Sequence, residues 1–182
     1  TISLFGSSLV QYAIMWYITL ETRSGTMMTI AIICGFLPTL FLSPFAGVWA
    51  DRYDRKTIII LSDTMIAVST LIVAVLFMLG YDQMWILFVV LAVRSLGQAV
   101  QMPAVGAYIP QLVPIELLTK VNAVNSSIQS PVFLVSPMIA AAMLTVSSLE
   151  IIFLVDVVTA LVAVLVLLVF LLTRPGDRDE NR

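Results

Sequence analysis

The sequence predicts an all-α fold: a polytopic membrane protein built as a six-helix transmembrane bundle. Three observations lead there. The 182 residues are 60% hydrophobic and only 11% charged, whereas a soluble domain carries about 25% charged residues. The apolar residues gather into six runs of about twenty, the length an α-helix needs to cross a bilayer. The charges collect in the breaks, most densely in GVWADRYDRK, Gly47 to Lys56, where only Tyr53 interrupts the charged series from Asp51 to Lys56. With a mean hydropathy of +1.07, lipid is the implied solvent.

The runs extend from about Ile2 to Leu20, Met27 to Ala50, Thr57 to Leu79, Met84 to Tyr108, Val121 to Val146 and Ile151 to Thr173. They are separated by ETRSGT, the charged knot, GYDQ, PQLVPIELLTK and SSLE. Breaks this short make successive helices antiparallel neighbours by expectation. Residues 1–173 read as one transmembrane domain, its first helix short by a turn or more because Thr1 already lies in an apolar run. Residues 174–182, rich in charge, read as the start of a cytoplasmic linker.

Lysine and arginine are enriched in the loops on the cytoplasmic side of membrane proteins. One set of loops holds Arg52, Arg55, Lys56, Lys120, Arg174, Arg178 and Arg182, and the other holds Arg23 alone. The knot, both chain ends and the linker are therefore expected in the cytoplasm, with the protein multi-pass in a bacterial cell (inner) membrane.

Composition also excludes function classes. No histidine is present, and the single Cys34 lies in an apolar run. His-centred metal sites, His-dependent triads and a disulfide framework are ruled out, and no paired acids suggest catalysis. The chain reads as a non-enzyme needing no cofactor or metal. Without a basic patch, nucleic acid is not an expected partner.

Charged and amide side chains within the spans are the functional candidates, because a charge at the bilayer centre costs about 2.5–3.5 kcal/mol and must face a cavity or a partner. Arg94 lies near the middle of the fourth span. Gln98 and Gln101 follow at i+4 and i+7 on the same helical face. This stripe suits a cavity lining or coupling site; the alternative is a structural ion pair. Asp156 and Asp63 are the candidate partners, and Asp156 matches Arg94 better in depth. A carboxylate in low dielectric can also carry a proton. Asp63 reads more simply as a residue reaching the interface, or Arg55 and Lys56 of the knot. Ser3, Ser7 and Gln11, with Tyr12 beside them, form a polar face on the first helix, and Asn122, Asn125 and Gln129 form one on the fifth. Both could contact solute or bond between helices. Ser-Pro pairs at Pro44 and Pro137 would be equivalent if the chain were two inverted three-helix repeats, a common transporter plan; chance would explain them as well.

Gly47, Asp51, Arg52, Arg55 and Lys56 together resemble the loop between the second and third helices of Major Facilitator Superfamily transporters. Asp54 departs from that pattern by replacing a glycine. Arg94 with Gly97 is similar to a second motif of the family. Ser136, Pro137, Ala140 and Ala141 are similar to its Gly-Pro-x-x-Gly-Gly antiporter motif, with small residues in place of glycines. The longer pattern, GFLP at Gly35, RSLG at Arg94 and PQLVPIELLTK at Pro110, resembles the macrolide-efflux branch. The resemblance implies the N-terminal half of a twelve-helix exporter of amphipathic drugs such as macrolides, working by proton antiport. Its partners would be a small amphipathic solute, protons, the lipid bilayer and a missing C-terminal six-helix half. Its knot would lock a cytoplasmic gate, the alternative being that these charges only fix orientation. Export of a siderophore or lipid-like solute, or a non-transporting membrane sensor or anchor, are the competing readings.

Overall fold

A computed structural model describes the backbone of residues 2–173 and the side chains of residues 4–49, 52–110 and 113–166. It consists of six helices in that range: α1 (Ile2–Thr22), α2 (Gly25–Arg52), α3 (Arg55–Met78), α4 (Met84–Leu112), α5 (Ile115–Val146) and α6 (Leu149–Thr173). The segment expected to be a linker lies outside the described residues. Helices α2 to α6 are each long and apolar enough to cross a membrane. Helix α1 does not reach that hydropathy over its described residues, where Ser7, Ser8 and Gln11 interrupt the apolar run.

Local chemistry sets the turns. Ser24 caps α2, its side chain accepting from the Met27 amide. The α3–α4 turn closes with the Tyr81 amide on the Leu76 carbonyl and the Gly80 amide on the Phe77 carbonyl, both at 2.9 Å. This pairing needs a left-handed residue after the helix, and Gly80 supplies it at φ 83. The expected long break before the fifth helix is much shorter in the structure, because α5 begins at Ile115. Pro114 occupies its N-cap position, Val113 ahead of it is extended as a residue before proline prefers, and Glu116 suits the positive end of the helix dipole.

Asp54 ends the charged knot as the N-cap of α3. Its carboxylate accepts from the Thr57 amide at 3.2 Å and the Thr57 hydroxyl at 2.8 Å. Where the loop it resembles carries glycine, this residue starts a helix. Asp54→Ala should lower stability by about 1 kcal/mol and Asp54→Ser much less; denaturant midpoints in detergent would decide, and equal losses would remove the capping role.

Packing departs from the expected chain of sequential neighbours. Helix α2 packs chiefly on α4, α3 on α4 and α6, and α1 on α5 and α6, while α2–α3, α4–α5 and α5–α6 barely touch. The short turns reverse direction, but each helix finds its main burial further along the chain. Exchanging every helix with the one three positions later turns α2–α4 into α5–α1 and α3–α4 into α6–α1, and leaves α3–α6 unchanged. The packing thus follows the pattern that two three-helix repeats would give, except that α1 meets α2 while α4 and α5 barely touch. The pattern reaches individual residues: a Cβ on Gly97 of α4 would press on Ile66 of α3, and one on Gly6 of α1 would overlap Thr159 of α6. Ile66 follows Asp63 by the same three positions that separate Thr159 from Asp156.

The main core joins Val10, Ile14 and Ile18 of α1 to Leu87 and Leu91 of α4 and Ile152 and Phe153 of α6. Phe77 of α3 meets Tyr17 and Phe153 edge-on, with ring centroids at 6.2 and 5.9 Å. Helices α2 and α5 remain largely exposed and apolar.

Candidate functional site

Four helices deliver polar side chains to one point in the interior. Arg94 projects from α4 and Asp156 from α6, with 2% and 0% of their side chains exposed. Their ion pair closes at 2.5 Å between Nη1 and Oδ2. The second guanidinium nitrogen, Nη2, donates to the Ser7 carbonyl of α1 at 3.0 Å. The Ser7 hydroxyl donates to Asp156 Oδ1 at 3.2 Å. Thr70 of α3 stands between the charges: its hydroxyl accepts from Arg94 Nη1 and lies 3.1 Å from Asp156 Oδ2 and 3.0 Å from the Ile66 carbonyl. Arg94 Nε is buried without a hydrogen-bond partner among the described residues. Gly6 makes room for the site, since a Cβ there would come within 3.2 Å of Asp156 Oδ1.

Small side chains and polar groups on α1 and α4 permit this convergence inside an apolar bundle. A buried charge is tolerated when it is paired and hydrogen-bonded, and each Asp156 oxygen has a donor. Of the two partners weighed for Arg94, the structure selects Asp156.

The amide stripe divides between two places. Gln98 donates to Gln11 of α1 in a long bond of 3.5 Å, half-buried and next to Tyr12, which packs on the main core. Gln101 instead donates to Asp63 of α3 at 2.6 Å. Asp63 is 8% exposed, so it is an interior residue rather than one standing at the interface. Asp63 on α3 and Asp156 on α6 each accept from a helix packed against their own.

At the charged turn, Arg55 Nη1 donates to the Ala107 carbonyl of α4 at 2.7 Å, and Lys56 Nζ stands 5.9 Å from the centre of the Tyr108 ring. Both cations thus approach the C-terminal part of α4, the negative end of its dipole. Arg52 is exposed, Gly47 has open space where a Cβ would stand, and the Asp51 side chain lies outside the described ones. On α5, Ser136 and Ala140 are fully buried, and Pro137 and Ala141 half-buried, where α5 packs on α1. The Ser136 hydroxyl has no hydrogen-bond partner among the described residues.

Sequence reasoning missed Thr70 and the Thr39–Ser95 clasp. In that clasp the Thr39 amide donates to the Ser95 hydroxyl at 3.1 Å and the Thr39 hydroxyl to the Ser95 carbonyl at 2.9 Å, tying α2 to α4 just after Pro38. Thr70 lies seven residues after Asp63 on the same face of α3, a spacing that could have marked it.

Among the described residues, no group of acidic, cysteine or histidine side chains could hold a metal ion. The polar chemistry available is a buried ion pair at the meeting of four helices and a cationic turn at one end of the bundle.

Comparison with known families matches residues 1–182 to the Major Facilitator Superfamily, and the chain belongs to that family of membrane transporters. It is 36% identical over 180 residues to macrolide efflux protein A of Streptococcus pyogenes, covering 99% of this chain and 44% of that protein. Macrolide efflux protein A of Enterococcus faecalis is also 36% identical, over 158 residues, 86% of this chain and 49% of that one. Multidrug resistance protein 1 of Bacillus subtilis (strain 168) is 29% identical over 160 residues, 87% of this chain and 39% of that protein. The chain spans about half the length of the curated relatives it matches.

Proposed function

We propose that the chain is the N-terminal six-helix part of an exporter of amphipathic drugs of the macrolide type, driven by proton antiport. The observation carrying this reading is the buried Arg94–Asp156 pair, which ties four helices together through a group able to take a proton. The likeness to macrolide efflux protein A in two organisms supports the substrate class. Protonation of Asp156 breaks its direct ion pair with Arg94, and α4 and α6 can then shift against each other. Solute enters beside Gln11, Tyr12 and Gln98, while Gln101 with Asp63 steadies α3 against α4.

The charged turn acts as the gate. Arg55 and Lys56 hold α3 to the end of α4, and Gly47, Asp51, Arg52 and Asp54 complete the segment that engages a second six-helix half. Interfacial contacts of this kind can be made in one state and broken in another. Ser136, Pro137, Ala140 and Ala141 form the tight α1–α5 seam on which the movement pivots. The excess of Lys and Arg in one set of loops supports a bacterial cytoplasmic membrane with both ends of the bundle inside.

The test is accumulation of a radiolabelled macrolide in cells making the complete protein, with and without a protonophore. Low accumulation that rises when the proton gradient collapses is the expected result. Accumulation equal to that of vector-only cells in both conditions, with the protein verified in the membrane, would reject macrolide export.

A further inference from the structure

Thr70 is the one member of the buried cluster whose hydroxyl has two acceptors at almost equal distance. The Ile66 carbonyl is 3.0 Å away and Asp156 Oδ2 3.1 Å, while Arg94 Nη1 donates to the same oxygen. A threonine hydroxyl has one proton to give and two lone pairs to receive. It cannot give its proton to both acceptors at once. The side chain is 1% exposed, out of contact with bulk water.

We infer that Thr70 is a positioning residue that reverses its hydrogen bond to Asp156 when that carboxylate takes up a proton, and so keeps Arg94 partnered in both protonation states. This rests on the proton-coupling reading above. With Asp156 ionised, the Thr70 hydroxyl donates to Oδ2 and accepts from Arg94. When a proton from the aqueous phase binds Oδ2, the new carboxyl O–H donates to Thr70 Oγ1. The threonine proton turns to the Ile66 carbonyl, and the second lone pair still accepts from Arg94. One O–H bond forms, on Asp156, and none breaks in the protein. Arg94 keeps the Ser7 carbonyl and the Thr70 oxygen in either state.

The surroundings make this local. Asp156 is faced by Arg94 of α4, Ser7 of α1 and Thr70 of α3. The remaining titratable groups of α1 are Tyr12, Tyr17 and Glu21, those of α3 are Arg55, Lys56 and Asp63, and those of α5 are Glu116 and Lys120. Asp63 is engaged by Gln101.

Without the hydroxyl, both states lose the Thr70 bonds to Asp156 and Arg94, but in the ionised state the direct Arg94–Asp156 ion pair still gives each group a buried partner, whereas in the protonated state the carboxyl O–H is left without an acceptor and Arg94 with the Ser7 carbonyl alone. Thr70→Val, equal in shape, should therefore disfavour the protonated state. A lost buried hydrogen bond to a charged group corresponds to about tenfold in an equilibrium. Thr70→Ser keeps the hydroxyl and should stay close to the parent protein.

The measurement is infrared difference spectroscopy of the complete protein in lipid vesicles during a pH titration, reading the protonated-carboxyl band that Asp156→Asn removes. Thr70→Val should need about ten times the proton concentration for half-development of that band, with Thr70→Ser within about threefold of the parent. Thermal denaturation of each variant separates this from a packing defect, which would lower stability without moving the band. Parent, Val and Ser proteins titrating together would overturn the inference. A band unchanged in Asp156→Asn would show instead that Asp156 takes no proton in this range, which overturns the coupling reading and the inference with it.

Discussion

Arg94→Met is expected to destabilise the complete protein by about 3–5 kcal/mol, the cost of leaving a buried charge without its partner. Asp156 is fully buried, and Ser7 and Thr70 alone would have to hold its charge. Asp156→Asn should cost less, because Arg94 retains the Ser7 carbonyl and the Thr70 hydroxyl. The informative variant is the double one, Arg94→Met with Asp156→Leu. Two apolar side chains in a lipid-facing bundle need no ionic partner, and replacing a buried ion pair in this way is often neutral or stabilising. The double variant should therefore recover most of the stability lost in Arg94→Met but none of the export proposed above. Unfolding midpoints in mixed micelles, measured beside drug accumulation in cells, test both halves. A double variant as unstable as the single one would mean that packing around the pair, rather than its charge, holds the four helices.

Gly97→Val should be the most damaging uncharged substitution at the α3–α4 contact. A Cβ at Gly97 would lie 2.7 Å from Ile66 Cγ1 and 3.0 Å from its Cδ1, with Met65 Cε at 3.1 Å. Ile66 is itself 2% exposed, so it has little room to withdraw. Overpacking of this kind costs about 1–3 kcal/mol. Gly106 on the same helix is the control: a Cβ there meets nothing within 4 Å, and Gly106→Val should lose far less. Shortening the opposing side chain in Ile66→Ala should relieve part of the Gly97→Val penalty, which a double-mutant cycle would register as coupling between neighbours. Strict additivity would place the Gly97 requirement somewhere other than Ile66.

The class of fold was legible because lipid allows few answers. Six apolar runs and a concentration of Lys and Arg on one side of them leave little choice of architecture. Arg94 and Asp156 could be picked out for the same reason, since a charge in hydrocarbon must find company. What the sequence did not disclose was which helices meet. The order of packing depends on close approaches at Gly6 and Gly97, and hydropathy does not distinguish a glycine that admits a neighbouring helix from one, like Gly106, that does not. Thr70 stayed hidden because a threonine is inexpensive in a membrane helix, where it can bond to the carbonyl one turn back, as it does to Ile66. The start of α5 is hidden in the sequence because Glu116 and Lys120 resemble loop residues, while Pro114 opens the helix ahead of them.

The ion pair also bears on how the protein is made. Arg94 on α4 is synthesised well before Asp156 on α6, so for two further helices of translation the guanidinium has no carboxylate to meet. Ser7 and Thr70 precede it in the chain, and in the finished bundle both supply oxygens to Arg94. They can receive the nascent arginine as α4 leaves the insertion machinery, and α6 then arrives as the element that completes the site. Ribosomes stalled before and after α6 should yield chains that differ sharply in protease resistance, with α6 converting a loosely held intermediate into the six-helix bundle.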